Sequence, residues 1–239
     1  MSARNNPVPP RESPLLCYVT DRRSLPATSP ADSIEALIRK IAEVAAAGVY
    51  WVQIREKDLT AGEVASLTRQ ALRIAAESSG ERASATRVLV NDRLDVAIAE
   101  RAGGVHLGEK SLPAAEAKRL VESAHRKQGV DASFLIGVSC HSLEAAQAAQ
   151  RDGADYILFG PVFATPSKET FGPPQGIGLL QQVCRAVSIP VLAIGGITLE
   201  TSAACLAAGA SGIAAIRLFQ GAPDPGHIAN SIRRIAKSR

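Results

Sequence analysis

The chain is poor in aromatic residues and in cysteine. Aromatic residues make up 4% of its 239 residues against 46% for all hydrophobic types, so the core must be built mainly from Val, Ile, Leu and Ala. Its four cysteines show neither C-x-x-C spacing nor a metal-type cluster, which predicts reduced thiols in a cytoplasmic protein. No apolar segment approaches the roughly 20 residues of a transmembrane helix, and we expect no membrane association.

The chain also carries little excess charge. Its formal net charge is +4, a balance that favours anionic small molecules only weakly. Part of the positive charge falls in the last predicted helix, and no basic run is interleaved with aromatic residues. We therefore expect no nucleic-acid partner.

The first 13 residues differ from the rest of the chain. They are polar and rich in proline. They lack the apolar middle part of a signal peptide, and residues 1–13 are predicted to form a disordered tail. Residues 14–239 are predicted to form one domain, because α/β barrels of this length commonly fold as a single unit.

Eight apolar runs recur along this domain, each followed by a segment with helical spacing. Most runs are continuous rather than alternating, as in strands buried on both faces of a parallel sheet. The predicted strands are 15–20, 49–55, 88–91, 104–107, 134–139, 156–160, 191–194 and 212–216. Polar residues before two of the helices predict caps at Asp32 or Ser33 and at Ser142.

Eight βα units in one chain predict an α/β fold, a single closed (β/α)8 TIM barrel. The alternative is an open doubly wound sheet, which would show a glycine fingerprint after the first strand. That position holds residues 20–23, TDRR, and no G-x-x-x-x-G-K-[ST] phosphate loop occurs. The closed barrel is therefore preferred, and its catalytic groups are expected at the C-terminal ends of the strands.

Polar residues follow the second predicted strand at that end. Alternation along an extended strand places Gln53, Arg55 and Lys57 on one side, facing the barrel mouth. One amide and two cations on the same side form a suitable clamp for an anion. The alternative is an ordinary charged strand end exposed to solvent.

The third, fourth and fifth strands end in residues that each allow two interpretations. Asp92 could bind Mg²⁺ and Asn91 could hydrogen-bond a ligand ring, or either could cap the next helix. His106 is interpreted as a core histidine with satisfied hydrogen bonds in preference to a functional one. Ser139 offers a hydroxyl, and His141 offers an acid or base unless it only begins a helix.

The segment 155–168, DYILFGPVFATPSK, combines a buried strand with a loop suited to phosphate. In that loop Thr165 and Ser167 supply hydroxyls and Lys168 supplies a positive charge. The same residue types are common in ordinary turns. The recurrence of polar strand ends around the whole chain favours the phosphate-binding interpretation.

The last two strands end in a pattern typical of phosphate sites. Loops after strands seven and eight of a barrel often bind phosphate through backbone N–H groups. The seventh strand ends in the pair Gly195 and Gly196, which lets the backbone approach an anion closely. The eighth strand ends in Ile216 and Arg217.

These strand ends carry motifs in a fixed order that resembles the thiamine phosphate synthase family and the related thiazole tautomerases. The resemblance spans nearly the whole globular part and implies a cytoplasmic barrel enzyme. The family's synthases, which are transferases, join a hydroxymethylpyrimidine diphosphate to a thiazole phosphate, release pyrophosphate, and use Mg²⁺. A homodimer is compatible with the resemblance. The motifs are YVTDR (18–22), VQIREK (52–57), VNDR (90–93), GVHLG (104–108), IGVSCH (136–141), GPVFATPSK (160–168), AIGGI (193–197) and residues 209–216.

The resemblance also implies a role for each matched residue. Gln53, Arg55 and Lys57 correspond to the clamp for the pyrimidine diphosphate. Ser139 and Lys168 correspond to further diphosphate contacts. The residues that correspond to the thiazole phosphate side are Thr165, Ser167, Gly196, Ile216 and Arg217. The candidate catalytic residues are Arg55, Lys57, Lys168 and His141.

On the pyrimidine and metal side, Asn91 corresponds to a pyrimidine contact and Asp92 to a Mg²⁺ ligand. The synthases usually carry a second Mg²⁺-binding Asp after the fourth strand, and Ser111 stands there in this chain. Losing one carboxylate weakens a Mg²⁺ site without abolishing it, because the diphosphate also supplies oxygen ligands. Arg217 is a second departure, since the synthases usually have a small hydroxyl residue at that position.

These departures leave two alternatives open. A thiazole tautomerase would bind thiazole phosphate and move a proton, with His141 as its acid or base. A catalytically silent barrel would bind a thiamine precursor without turnover. The complete set of Gln53, Arg55 and Lys57 favours the synthase, because a tautomerase has no leaving pyrophosphate to stabilise.

Overall fold

A computed structural model describes residues 13–78, 86–129, 131, 133–165 and 173–238. Within them, eight parallel strands close into one barrel in chain order, and β1 pairs with β8. This confirms the predicted (β/α)8 barrel and excludes the open sheet, whose first and last strands would not pair. Residues 1–12 of the predicted tail lie outside the described residues. The strands are β1 (Leu15–Val19), β2 (Trp51–Ile54), β3 (Arg87–Asn91), β4 (Gly104–Leu107), β5 (Leu135–Cys140), β6 (Tyr156–Phe159), β7 (Val191–Ala193) and β8 (Gly212–Ala215).

Helices pack around the outside of the barrel. The α-helices are α1 (Pro30–Ala46), α2 (Ala61–Ser78), α3 (Leu94–Ala99), α4 (Ala114–Gln128), α5 (Leu143–Arg151), α6 (Gly176–Ala186), α7 (Leu199–Ala207), α8 (Arg217–Gln220) and α9 (Pro225–Lys237), and a short 3-10 helix (Arg22–Ser24) precedes α1. Among the described residues, no helix combines the length and the apolar character needed to cross a bilayer.

The helix caps agree with the prediction at α5 and differ from it at α1. The Ser142 hydroxyl accepts a hydrogen bond from a backbone N–H of α5 at 3.1 Å. At α1 the predicted cap was wrong, because the helix begins at Pro30 and its N-cap is Ser29. The Ser29 hydroxyl accepts from the backbone N–H of Asp32 at 3.1 Å.

The barrel interior is filled by alternate residues of the strands. Intervening residues such as Leu16 and Tyr18 belong to a second apolar layer that packs against the helices. Continuing the inward alternation from Trp51 places the Gln53 side chain at the C-terminal end of the interior, the barrel mouth. The buried apolar residues of the interior are Leu15, Cys17, Val19, Trp51, Leu89, Leu135, Tyr156, Leu158, Leu192 and Ala214.

Candidate active site

A row of hydrogen bonds runs across the barrel mouth from β2 to the end of β3. The Gln53 amide donates from Nε2 to Asn91 Oδ1 at 2.8 Å, and the Asn91 amide donates from Nδ2 to Asp92 Oδ2 at 2.6 Å. Gln53 is buried, whereas Asp92 is exposed at the rim. The structure therefore brings together three residues that the sequence placed in the site.

The carboxylate of Asp92 sets the direction of this row. An ionised carboxylate only accepts hydrogen bonds, so the Asn91 nitrogen faces it and the Asn91 oxygen faces Gln53. Because the Asn91 oxygen only accepts hydrogen bonds, its partner on Gln53 is the amide nitrogen, which donates. Gln53 Oε1 is left buried, with no hydrogen-bond partner among the described residues, and is therefore available to accept from a bound molecule.

Asp92 also contacts the predicted second metal ligand. Its Oδ1 accepts from the backbone N–H of Gly108 at 2.9 Å and from the Ser111 hydroxyl. The alternative that Asn91 or Asp92 caps α3 is not found. The N-cap of α3 is Arg93, without a side-chain capping hydrogen bond.

The oxygen donors of Asp92 and Ser111 suit Mg²⁺, which prefers hard oxygen ligands. They provide one carboxylate. The part of the chain that the structure describes contains no group of three or more His, Cys, Asp or Glu side chains that could hold a metal. Because Mg²⁺ is commonly bound through one or two carboxylates together with substrate phosphates, the donor set fits Mg²⁺ when a diphosphate completes it.

Two residues of the predicted anion clamp, Arg55 and Lys57, lie beyond the end of β2, whereas Gln53 lies within it. The strand ends at Ile54, one residue earlier than predicted. The next backbone N–H, that of Arg55, donates to Thr20 Oγ1 at 2.8 Å. Arg55 is half-buried, Glu56 is buried and Lys57 is exposed. Of these three residues, only Glu56 is directed into the protein.

A buried ion-pair network that was not predicted from the sequence holds Glu56. Its carboxylate accepts from the backbone N–H of Arg22 at 3.1 Å and from Arg22 Nη1 at 3.0 Å. Arg22 also donates two hydrogen bonds to Asp58, at 2.7 and 2.8 Å. These bonds lower the pKa of the Asp58 carboxyl, whereas burial raises the pKa of Glu56. The sequence signal for this network was the presence of charged residues in TDR (20–22) and REK (55–57).

His106 lies in the core, as expected, and makes two hydrogen bonds there. Its Nε2 is 2.8 Å from the Ser139 hydroxyl, and its Nδ1 is 3.1 Å from the Tyr156 hydroxyl. Ser139, a predicted diphosphate contact, is thereby connected to the barrel interior. Tyr156 was not predicted in the site, and a hydroxyl in an otherwise apolar strand was its only signal.

Cys140 and His141, the two residues after Ser139, differ in their environment and in the reactivity of their side chains. Cys140 is buried, and burial raises the pKa of its thiol to about 12, so little thiolate exists near neutral pH. The Nδ1 of His141 lies against the carbonyl oxygen of Gly160. Because a carbonyl only accepts, this nitrogen carries the proton. The imidazole thus connects the ends of β5 and β6, while its acid–base role remains a prediction.

The loops that follow β6, β7 and β8 pack against one another. The backbone N–H of Phe163 donates to the Gly195 carbonyl at 3.0 Å. Gly196 has a φ of 66°, and a Cβ at this position would lie 2.6 Å from a carbonyl oxygen of the β6 loop. Arg217 Nη2 donates to Thr165 Oγ1 at 2.7 Å. Of the predicted thiazole phosphate residues, Thr165, Gly196 and Arg217 therefore lie on loops that contact one another.

Ser167 and Lys168 lie outside the described residues. The described residues end at Thr165 before this segment and resume at residue 173 after it. Beyond it, the backbone N–H of Gln175 donates to the Pro161 carbonyl at 2.8 Å. The described residues on both sides of the segment therefore lie near the end of β6.

A cavity of about 470 Å³ lies beside α8 and α9, with Arg217, Leu218 and His227 in its lining. Of the predicted site residues it includes Arg217. Ile216, the N-cap of α8, is half-buried next to it in the chain. Because the other polar groups converge at the strand ends, we place the active site at the barrel mouth and not in this cavity.

Comparisons with known proteins identify the family of the chain. The family model described as thiamine monophosphate synthase matches residues 24–219. A thiamine-phosphate synthase from Roseiflexus castenholzii is 37% identical over 239 residues, which cover 100% of this chain and 95% of the relative. One from Methanoculleus marisnigri is 41% identical over 82% of this chain and 86% of the relative.

Solved structures show the same relationship. A thiamine phosphate pyrophosphorylase from Pyrococcus furiosus superposes with a TM-score of 0.76 at 29% identity, covering 95% of this chain and 98% of that one. A 3-hexulose-6-phosphate synthase, with a TM-score of 0.66 at 17% identity over 93% of this chain and 99% of that one, shares the fold. The chain therefore belongs to the thiamine monophosphate synthase family, as its motifs predicted, and is a transferase of thiamine biosynthesis.

Proposed function

We propose that this barrel joins 4-amino-2-methyl-5-hydroxymethylpyrimidine diphosphate to thiazole phosphate in the cytoplasm, with Mg²⁺ as cofactor, forming thiamine phosphate and pyrophosphate. The observation that carries the proposal is the hydrogen-bonded row of Gln53, Asn91, Asp92 and Ser111 across the mouth. This row joins an amide suited to a polar ring with oxygen donors suited to a metal–diphosphate group. The relatives' names support the synthase over the tautomerase and the silent barrel. A homodimer remains a prediction.

Gln53 is the proposed contact to the amino group of the pyrimidine. Its Oε1 is a buried acceptor without a partner among the described residues. An unsatisfied buried acceptor costs about 1–3 kcal/mol, which an amino N–H would recover on binding. Asp92 and Asn91 hold the Gln53 amide in the orientation that this contact needs.

Asp92 and Ser111 would hold the Mg²⁺ ion, together with oxygens of the diphosphate. When bound, Mg²⁺ would neutralise charge that develops on the departing diphosphate. Asp92 is kept in place for this task by hydrogen bonds from Gly108 and Asn91. Because Ser111 adds no charge, the protein's own contribution to metal affinity is small and the diphosphate contributes the larger share.

The reaction needs charge stabilisation and no proton transfer. The bond between the pyrimidine methylene carbon and the diphosphate oxygen breaks, and its electron pair leaves with the diphosphate. The thiazole nitrogen then donates its lone pair to that carbon. The groups that stabilise the departing charge in this proposal are Arg55, Lys57, Ser139 and Lys168. The groups that hold thiazole phosphate are Thr165, Ser167, Gly195, Gly196, Ile216 and Arg217.

His141 has no proton to transfer in this reaction. Its Nδ1–H donates to the Gly160 carbonyl, which lies at the start of the loop that carries Thr165. In the synthase we therefore assign His141 the task of positioning that loop. An acid or base at this position would be needed only for the tautomerase.

The test is pyrophosphate release by the purified full chain, with both substrates present and Mg²⁺ titrated from zero. We expect release that requires both substrates and rises with Mg²⁺. Absence of release at every Mg²⁺ concentration, with thiazole phosphate still bound, would contradict the synthase. That result would favour the tautomerase and make His141 the residue to test.

Replacing Ser111 with aspartate is expected to lower the Mg²⁺ concentration for half-maximal activity about tenfold, or about 1.4 kcal/mol. The added carboxylate would stand beside Asp92 and share the ion. Mg²⁺ binding measured by calorimetry with inorganic pyrophosphate present gives a readout independent of turnover. The matched control is Ser111→Asn, which has the shape of aspartate without its charge. Equal Mg²⁺ dependence in both variants would show that Ser111 does not lie at the metal.

A further inference from the structure

A row of three polar side chains leads from the barrel mouth into the interior. Ser139 near the end of β5 is half-buried, whereas His106 on β4 and Tyr156 at the start of β6 are buried. The Ser139 hydroxyl is 2.8 Å from His106 Nε2, and His106 Nδ1 is 3.1 Å from the Tyr156 hydroxyl. The proposed synthase reaction uses Ser139 as a diphosphate contact and assigns no role to His106 or Tyr156.

The innermost residue of the row fixes the position of each proton. The Tyr156 ring is 0% exposed, and burial raises the pKa of its hydroxyl, so the hydroxyl keeps its proton. A buried O–H needs an acceptor, and its hydrogen-bond partner in the structure is His106 Nδ1. An imidazole that accepts at Nδ1 carries its proton at Nε2 and donates there. His106 therefore donates to the Ser139 oxygen.

We propose that Tyr156 and His106 are positioning residues that turn the Ser139 O–H toward the mouth, where it donates to the departing diphosphate. With its oxygen occupied by the donation from His106, Ser139 cannot direct its own proton back at the imidazole. A donor held in its reacting orientation needs no reorganisation as charge develops. The proposal rests on the proposed function, because it takes Ser139 to be a diphosphate contact.

Gly137 and Trp51 form the space that the Tyr156 side chain occupies inside the barrel. A Cβ at Gly137 would lie 1.9 Å from the Tyr156 ring, so glycine is required beside it. Trp51 packs against the same ring, with a centroid distance of 4.6 Å. The Tyr156 hydroxyl would also lie 2.3 Å from that Cβ, so Gly137 makes room for the ring and for the hydroxyl. Phenylalanine at position 156 keeps the ring with its packing against Trp51 and removes the hydroxyl with its hydrogen bond to His106.

The direct test is nitrogen-15 NMR of the full chain labelled at histidine, with the His106 signals assigned by their loss in His106→Gln. We expect His106 protonated at Nε2 and unprotonated at Nδ1. In Tyr156→Phe the signals should move toward a mixture of tautomers. A proton on Nδ1 in the unmodified protein, alone or together with one on Nε2, would overturn the proposal. This readout does not depend on activity, so it separates failure of the proposal from failure of the proposed function.

A double-mutant cycle then tests the coupling to Ser139. We expect Tyr156→Phe to lower kcat for pyrophosphate release about tenfold, which is less than the loss of a charge-stabilising donor itself. In a Ser139→Ala background the same change should have less than a twofold effect. The matched control is Tyr18→Phe, which also removes a buried hydroxyl, one that donates to Gln220 at 2.7 Å, and which should be additive with Ser139→Ala. Equal effects of Tyr156→Phe in both backgrounds would contradict the coupling.

Discussion

Replacement of Arg22 by methionine is expected to lower the free energy of unfolding by about 3–5 kcal/mol. Methionine supplies neither charge nor hydrogen-bond donor, so the Glu56 carboxylate, whose side chain is 1% exposed, loses its compensating cation. Asp58 loses the same partner, but its side chain is 43% exposed and water can replace the contact. Urea denaturation of the full chain measures the difference.

The same substitution is expected to reduce kcat/KM by about 10²-fold, since small displacements of catalytic groups can cost that much. Glu56 stands between Arg55 and Lys57 in the chain. Its bond to Arg22 fixes the segment that carries both cations after strand pairing has ended. Pyrophosphate release, measured below the unfolding transition of the variant, reports this effect separately from stability.

Two variants control this experiment. Arg23→Met removes the neighbouring arginine, which is exposed, and should change stability by less than about 0.5 kcal/mol. Combining Arg22→Met with Glu56→Leu removes both buried charges and should restore most of the lost stability. If Arg22→Met were no less stable than Arg23→Met, the ion pair would contribute nothing to the fold.

The barrel fold and the strand residues that face the barrel mouth could be predicted from the sequence, because both follow from the periodicity of apolar residues. Continuous apolar runs at regular spacing specify buried parallel strands. Counting alternate residues from Trp51 reaches Gln53, and from Leu89 reaches Asn91, and the structure joins these two amides by a hydrogen bond of 2.8 Å. Arg55 and Lys57 lie past the strand end, where this counting no longer specifies a position.

The partners within the site could not be predicted, because they depend on contacts between distant segments. Arg22 meets Glu56 across 34 positions of the chain, and His106 meets Tyr156 across 50. Neither periodicity nor composition specifies which buried polar side chain faces which. The polarity of the individual residues was visible in the sequence, whereas their pairing appears only once the barrel has closed.

The cap of α1 was missed for a local reason. Residues 29–33, SPADS, offer three side chains that commonly cap helices. The proline decides between them, because proline is favoured at the first helical position and Ser29 is the residue before it. This error was avoidable from the sequence alone, unlike the pairing of buried polar groups.

Replacement of Lys168 by alanine is expected to reduce kcat by about 10²–10³-fold while leaving stability unchanged. Described residues on both sides of the segment that contains Lys168 lie near the end of β6, where the Gln175 N–H donates to the Pro161 carbonyl at 2.8 Å. The proposed function assigns the Lys168 ammonium group a contact to the departing diphosphate. Pyrophosphate release with both substrates saturating measures kcat, and thermal unfolding measures stability.

Two further variants test whether the loss of activity in Lys168→Ala comes from the loss of positive charge at this position. Lys168→Arg keeps the positive charge in a different shape and should retain more activity than Lys168→Ala. Lys237→Ala deletes an exposed lysine of α9 and should leave kcat unchanged. Because the reaction needs charge stabilisation and no proton transfer, a lost cation should lower kcat and not change its pH dependence. A variant Lys168→Ala that unfolds, or that keeps full activity, would refute the role of Lys168 as a diphosphate contact.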